Sequence, residues 1–257
     1  MNKLIYIGKN AKKAASIKIS AKEKNRVLSD YCKIILKNKE LIIKENLKDI
    51  DLAVKKNLAE NLINRLILNE KKILDIVKSL KEIIKLKDPT DLILEKWTRP
   101  NGLSISKVTI PMGVIGVIYE SRPNVTCDVA ALCFKSGNPV ILKGGSEALN
   151  SNKILSKFFR TALKQNRIDE NFIQLIETKD RSVVDYLLTK MKSYIDLIIP
   201  RGGKSLVKKV QEYSNIPIIG HLEGICHTYI DKDANFKMAT KIVYNAKLRN
   251  TAIYGAT

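Results

Sequence analysis

A chain of 257 residues with 45% hydrophobic content can bury a substantial core, as one large domain or two modest ones. No apolar run approaches membrane-spanning length, and the opening MNKLIYIGKNAKKAAS lacks the apolar core and cleavage site of a secretory signal, so a soluble, cytoplasmic chain is expected. Lys and Arg outnumber Asp and Glu by 46 to 26, a net charge of +20 that favours polyanions in general.

The basic residues are nevertheless spread along helical segments among acidic ones, as in KEKNR, KDIDLAVKK and EKKILDIVKSLKEIIKLK. That pattern describes solvated helix faces better than a nucleic-acid surface. The four cysteines, Cys32, Cys127, Cys133 and Cys226, form no CxxC pair, which argues against a disulfide framework or a zinc knuckle and for buried free thiols.

Residues 1–87 repeat apolar positions at three- and four-residue spacing, the period of helices, with Ser20 and Asn69 as caps. Asp88-Pro89 breaks the pattern, and Arg99-Pro100-Asn101-Gly102 makes a turn. The single tryptophan, Trp97, lies between them and reads as a packed core or interface aromatic. Residues 103–110 alternate in the manner of a half-buried strand.

The centre of the chain is a β-α-β unit. Two β-branched runs, 114–119 and 139–142, flank a helical segment that Thr126 or Asp128 can cap and Gly137 can end. The second strand runs into Lys143-Gly144-Gly145-Ser146-Glu147, where Ser146 can cap the next helix and a phosphate could sit on that helix's positive end. Helix 148–166, strand 172–176, a helix over 181–190 capped by Asp180, and strand 195–199 follow. The last of these leads into Arg201-Gly202-Gly203-Lys204-Ser205 and another helix. Strands at 216–219 and 225–230, on either side of the turn His221-Leu222-Glu223-Gly224, and a final helix capped by Asp233 complete the reading. Alternating strands and helices of this length predict an α/β fold, a three-layer parallel sheet with helices on both faces, preceded by an N-terminal helical region.

GGKS is not a nucleoside triphosphate P-loop, because that motif needs a glycine where this chain has Ile198, and no GxGxxG fingerprint is present. Two glycine turns remain, each following a strand and preceding a helix, a class that binds phosphates. His221, Glu223, Cys226 and His227 match no zinc spacing, and no metal is expected. On the residues alone, Asn124 is equally well a turn asparagine after proline.

Over nearly its whole length the sequence resembles a known family. WTRPNGLSISKVTIPMGVIGVIYESRPNVTCDVAALCFKSGNPVILKGGSEALNSN, IDLIIPRGGKSLVKKV, IPIIGHLEGICHTYIDKDA and IVYNAKLRN are similar to the γ-glutamyl phosphate reductases of the aldehyde dehydrogenase superfamily. The resemblance implies an NADP-binding domain over 1–225, with N-terminal helices (1–95) and a protruding oligomerisation strand (about 98–111) that points to a homo-oligomer. Residues 226–257 would begin a catalytic domain that is incomplete here.

Lys143 is then expected at the adenosine ribose, with Gly144 and Gly145 in the same turn and Ser146 and Glu147 beside the ribose 2′-phosphate, consistent with NADPH. Gly202 and Gly203 are expected near the pyrophosphate, with Lys204 and Ser205 beside them. Asn124 matches the asparagine that stabilises the oxyanion, and Glu223 occupies the place of a general base. Tyr254 stands where the family has its nucleophilic cysteine, and a phenol near pKa 10 is a poor substitute for a thiol near 8.5. The activity implied is NADPH-dependent reduction of γ-glutamyl phosphate to glutamate 5-semialdehyde, with release of phosphate, in proline biosynthesis. This chain is expected to be truncated and inactive as it stands. The alternative is a non-enzymatic nucleotide- or nucleic-acid-binding basic protein, for which the charge is the independent support.

Overall fold

The structure is a computed structural model that describes residues 2–120, 122–180, 182–220 and 227–248. The chain divides into two compact units, Met1–Gly220 and His221–Thr257.

The first unit opens with five helices, α1 (Asn2–Ala15), α2 (Ala21–Lys37), α3 (Lys39–Lys55), α4 (Glu60–Leu66) and α5 (Glu70–Lys85). Ser20 and Asn69 cap α2 and α5 as expected. Ser20 forms a full capping box with Glu23, and Asn69 accepts from the Lys72 N–H at 2.9 Å. A two-stranded antiparallel hairpin follows, β1 (Ile93–Thr98) and β2 (Ser104–Val108), almost wholly exposed.

The sheet proper is built from β3 (Ile115–Tyr119), β4 (Val140–Lys143), β5 (Ile173–Leu175) and β6 (Leu197–Arg201), all parallel, in the order β5-β4-β3-β6. They are linked by α6 (Pro123–Lys135), α7 (Leu149–Gln165) and α8 (Ser182–Lys190), and α9 (Lys204–Tyr213) follows β6. The two-residue period of β3 sorts its side chains cleanly. Ile115, Val117 and Tyr119 join the core beneath α2, α5, α6 and α7. Ile118 enters the opposite core with residues of α1, α8 and α9. A strand covered on both faces needs apolar residues throughout, which is why this segment reads as a continuous apolar run.

Gly137 ends α6 as the sequence suggested. Its φ is +75°, its N–H bonds to the Phe134 carbonyl, and the Asn138 N–H reaches the Cys133 carbonyl at 2.8 Å, the two bonds of a Schellman motif.

Local cap assignments elsewhere need correction. Arg122, not Thr126 or Asp128, is the N-cap of α6, because Pro123 fits the first helical position. Thr126 instead bonds to the Tyr119 hydroxyl at 2.6 Å and to Asn152 Oδ1 at 2.8 Å. Ser146 opens a 3₁₀ turn, Ser146–Ala148, and does not cap α7. Strand β6 lies two residues beyond the expected 195–199, since pairing with β3 sets Tyr119 opposite Arg201. Of the expected strand 216–219, only a bridge between Ile198 and Ile218 forms.

The second unit contains α10 (Phe236–Leu248), and Asn235 caps it, accepting the Met238 N–H at 3.0 Å, in place of Asp233. His227 to Ile230 are not a strand, and the rest of the expected strand 225–230 lies outside the described residues. Among the described residues no helix is long and apolar enough to cross a membrane.

Candidate cofactor cleft

The chain order runs outward from β3 through β4 to β5, then returns through α8 to place β6 on the other side of β3. The connections therefore part company at the carboxyl ends of β3 and β6, and open α/β sheets bind ligands at such a switch point. A cavity of about 680 Å³ opens there, and its walls carry Lys143, Gly144, Gly145, Ser146, Glu147 and Ser205. The Gly144-Gly145 turn and the start of α9, more than fifty residues apart in sequence, are thus brought to one cleft. Gly202, Gly203 and Lys204 form the turn that leads into Ser205, although they are not lining residues themselves.

The glycines have different reasons for lacking a side chain. A Cβ on Gly144 would strike Asn152 Nδ2 and meet the Tyr119 ring at 3.0 Å, so the chain of bonds behind the turn requires it. One on Gly145 would strike the Glu147 carboxylate, and one on Gly202 would come within 2.6 Å of Glu120 Oε2. Gly203 is different again: nothing within 4 Å of its Cβ position except Glu120 Oε2 at 3.7 Å, so a side chain there would stand in open space.

Lys143 is only 5% exposed at the end of β4, and its Nζ donates to the Gly144 carbonyl at 2.9 Å. Lys56, Lys179 and Lys209 join it on the walls, against Glu120 and Glu147, so the cleft is net positive. Glu120 was not singled out by the sequence. Its Oε2 accepts the Gly203 N–H at 2.8 Å at the start of α9, where backbone donors and the helix dipole favour an anion. A carboxylate oxygen already stands where a phosphate oxygen would be received.

The N-terminal helices, which carry no motif, also build this cleft. Leu52, Ala53 and Lys56 from the end of α3 line it, and α3 is fixed by Asp49. That carboxylate receives the N–H groups of Asn150 (3.0 Å) and Ser151 (2.7 Å), together with the Asn150 amide and the Ser151 hydroxyl. It caps α7 from 101 residues away. Burial raises its pKa, against the pull of those four bonds.

Asn124 sits in the first turn of α6, and its Nδ2 donates to Asp128 Oδ2 at 3.2 Å. It is not a lining residue of the cleft. Burial raises the Asp128 carboxyl, which also accepts from Ser79 Oγ at 2.9 Å. Glu223 and Tyr254 lie outside the described residues, as do His221 and Cys226. The other three cysteines are buried and free, and burial pushes their thiols up, that of Cys133 to about 12. None of these three is a ready thiolate.

A profile describing the aldehyde dehydrogenase family matches residues 2–252. Gamma-glutamyl phosphate reductase of Clostridium botulinum (strain Alaska E43 / Type E3) is 43% identical over 258 residues, covering 100% of this chain and 62% of the relative. The enzyme of the same name from Allorhizobium ampelinum is 46% identical over 255 residues, covering 98% of this chain and 60% of the relative. This chain therefore spans about 60% of the length of the curated relatives it matches. Among solved structures, gamma-glutamyl phosphate reductase from Thermotoga maritima superposes with a TM-score of 0.89 at 36% identity, over 95% of this chain and 59% of that one. The yeast (Saccharomyces cerevisiae) enzyme gives 0.77 at 34% identity, over 96% and 63%. By sequence across residues 2–252 and by fold, the chain belongs to the aldehyde dehydrogenase family, beside the γ-glutamyl phosphate reductases it resembles.

Proposed function

We propose that this chain is the cofactor-holding part of a γ-glutamyl phosphate reductase, and that it binds NADP(H) in the cleft at the carboxyl ends of β3, β4 and β6. The observation that carries the reading is the net-positive cavity at the switch point of the sheet, lined by the Gly144-Gly145 turn and by the start of α9 just after the Gly202-Gly203 turn. The chain's residues fit such a ligand. Gly203 leaves open space before the first backbone donors of α9, and that turn already receives a carboxylate oxygen.

Lys143 and Ser146 would hold the adenosine ribose and its 2′-phosphate, and the Gly202-Gly203 turn the pyrophosphate, with Lys204 and Ser205 beside it. When bound, the nicotinamide supplies the hydride that takes an acyl group to an aldehyde. The substrate would be γ-glutamyl phosphate, reduced to glutamate 5-semialdehyde with loss of phosphate. Asn124 would donate its amide to the oxyanion formed at the acyl carbon, after exchanging its bond to Asp128 for one to substrate. Residues 1–225 would form the cofactor domain and 226–257 the start of the catalytic one, with β1 and β2 as an arm for a second copy.

Among the described residues no cysteine is placed to supply the thiolate step, and Cys226 lies outside them. Tyr254 stands at the cysteine position, and Cys32, Cys127 and Cys133 are buried. We therefore propose cofactor binding without turnover for this chain.

Fluorescence titration with NADPH and NADH tests the assignment. NADPH is expected to bind more tightly, and Lys143→Ala to cost about tenfold for NADPH with little effect on NADH, the scale of one charge-assisted contact partly screened by water. Gly203→Val should weaken both cofactors alike, because its side chain would fill the open space before the α9 donors without disturbing the core. A Lys143→Ala variant that keeps its full preference for NADPH would place the adenosine end elsewhere.

A further inference from the structure

A second group of cations lies outside the cleft. Arg201 ends β6 opposite Tyr119, and the Glu120 N–H bonds to its carbonyl at 3.2 Å, so the ends of β3 and β6 are held side by side. Two residues beyond Glu120, Arg122 caps the start of α6. From the N-terminal helices come Arg65, in the last turn of α4, and Lys72, in the first turn of α5. Lys72 Nζ donates to the Asn64 carbonyl at 2.9 Å, which ties its charge to the residue next to Arg65.

Arg122 is the charge that links the group. Burial, then the charges of Arg65 and Arg201, lowers the pKa of Arg122, and burial, then Arg122, lowers that of Lys72. Among the described residues no ion pair joins a carboxylate to any of the four. Helix α6 adds to the same field, because its first turn carries no acidic residue and Arg122 gives it no side-chain cap. In a chain of net charge +20 many surface cations lack an acidic partner, and what sets these four apart is that Arg122 lies among the other three. Four cations held together without one repel each other, and such a group becomes favourable when an anion neutralises it.

We propose that Arg65, Lys72, Arg122 and Arg201 form an anion site separate from the dinucleotide cleft, and that its ligand is the phosphate of the acyl-phosphate substrate. None of the four lines the cleft. A phosphate carries about two negative charges near neutral pH where a carboxylate carries one, so it matches a cluster of this charge better, and guanidinium forks bind its oxygens in pairs. The identity of the ligand rests on the reductase reading above, while the site rests on the cation cluster.

Calorimetric titration of the full chain with inorganic phosphate, in chloride buffer of constant ionic strength, tests this. Saturable binding is expected, weakened at least about tenfold by Arg122→Gln and by Arg65→Gln, each removing a bidentate charged contact. Lys48→Gln makes the same change of charge at an exposed residue paired with Glu45 and should leave binding unchanged. Saturating phosphate should also leave NADPH affinity unchanged. No saturation in the unaltered chain overturns the site, and so does equal loss in the Lys48 and Arg122 variants, which would mean diffuse charge. Competition between phosphate and NADPH overturns its separateness. Phosphate binding that depends on Arg122, in a chain that does not bind NADPH, would support the site and sink the reductase reading.

Discussion

Glu120 shows how a single side chain can set the affinity of the cleft. Its carboxylate holds the Gly203 N–H and lies 2.6 Å from where a Gly202 side chain would begin, so it occupies the ground where an incoming phosphate would seek the same donors. Two like charges about 4 Å apart repel by roughly 1 kcal/mol in water and by about 4 at an effective dielectric of 20. Glu120→Gln keeps an acceptor for the Gly203 N–H and removes the charge. It is expected to tighten NADPH binding by about three- to tenfold, most clearly at low salt. Weaker binding in that variant would show instead that the carboxylate accepts from the ligand's hydroxyls. The glycine turns were legible because a strand, two glycines and a helix start leave a pattern of their own. Glu120 was not, since one acidic residue after a strand looks like any strand end until β6 brings Gly203 beside it.

At the level of elements, the cleft depends on a clamp between α3 and α7. The sequence places Ser146 as the obvious cap for α7, but the donors of that helix are met by Asp49 from α3. A cap supplied across 101 residues has no local signature, which is why the N-terminal helices read as motif-free although they form one wall of the cavity. The caps that were legible, at Ser20, Asn69 and Gly137, are those whose partners lie within a turn of them. Strand β6 was misplaced for a related reason: the apolar run alone could slide, and only pairing with β3 fixed it. Asp49→Ala would leave the backbone N–H groups of Asn150 and Ser151 without an acceptor. It should lower stability by about 1–3 kcal/mol, read as a drop in the urea midpoint at constant slope, while Asp49→Asn, which retains one acceptor, should cost less. An unchanged midpoint in the alanine variant would mean that water replaces the clamp and that α3 is held by its apolar contacts.

For the molecule as a whole, the β1-β2 hairpin is the feature most at odds with a solitary existence. Ile93 and Leu94 are 63% and 57% exposed, and Trp97 is 42% exposed. A short two-stranded ribbon is marginally stable in water without a partner for its apolar face. We proposed that a second copy provides that partner. The net charge of +20 works against this, because two such chains repel until salt screens them. The two forces separate experimentally: association through the hairpin should strengthen as salt rises, the reverse of what a charge-driven contact would do. Trp97 is the one tryptophan in the chain, so its emission reports on this surface alone and should move to the blue as protein and salt concentrations increase. Sedimentation should show the dimer or a higher state forming over the same range, and Leu94→Lys should abolish both changes by placing an unscreened charge in the contact. A single monomeric species at every salt concentration, with the emission of a water-exposed indole, would refute the hairpin as an assembly surface. Association that weakens with salt would assign it to the charged helix faces instead.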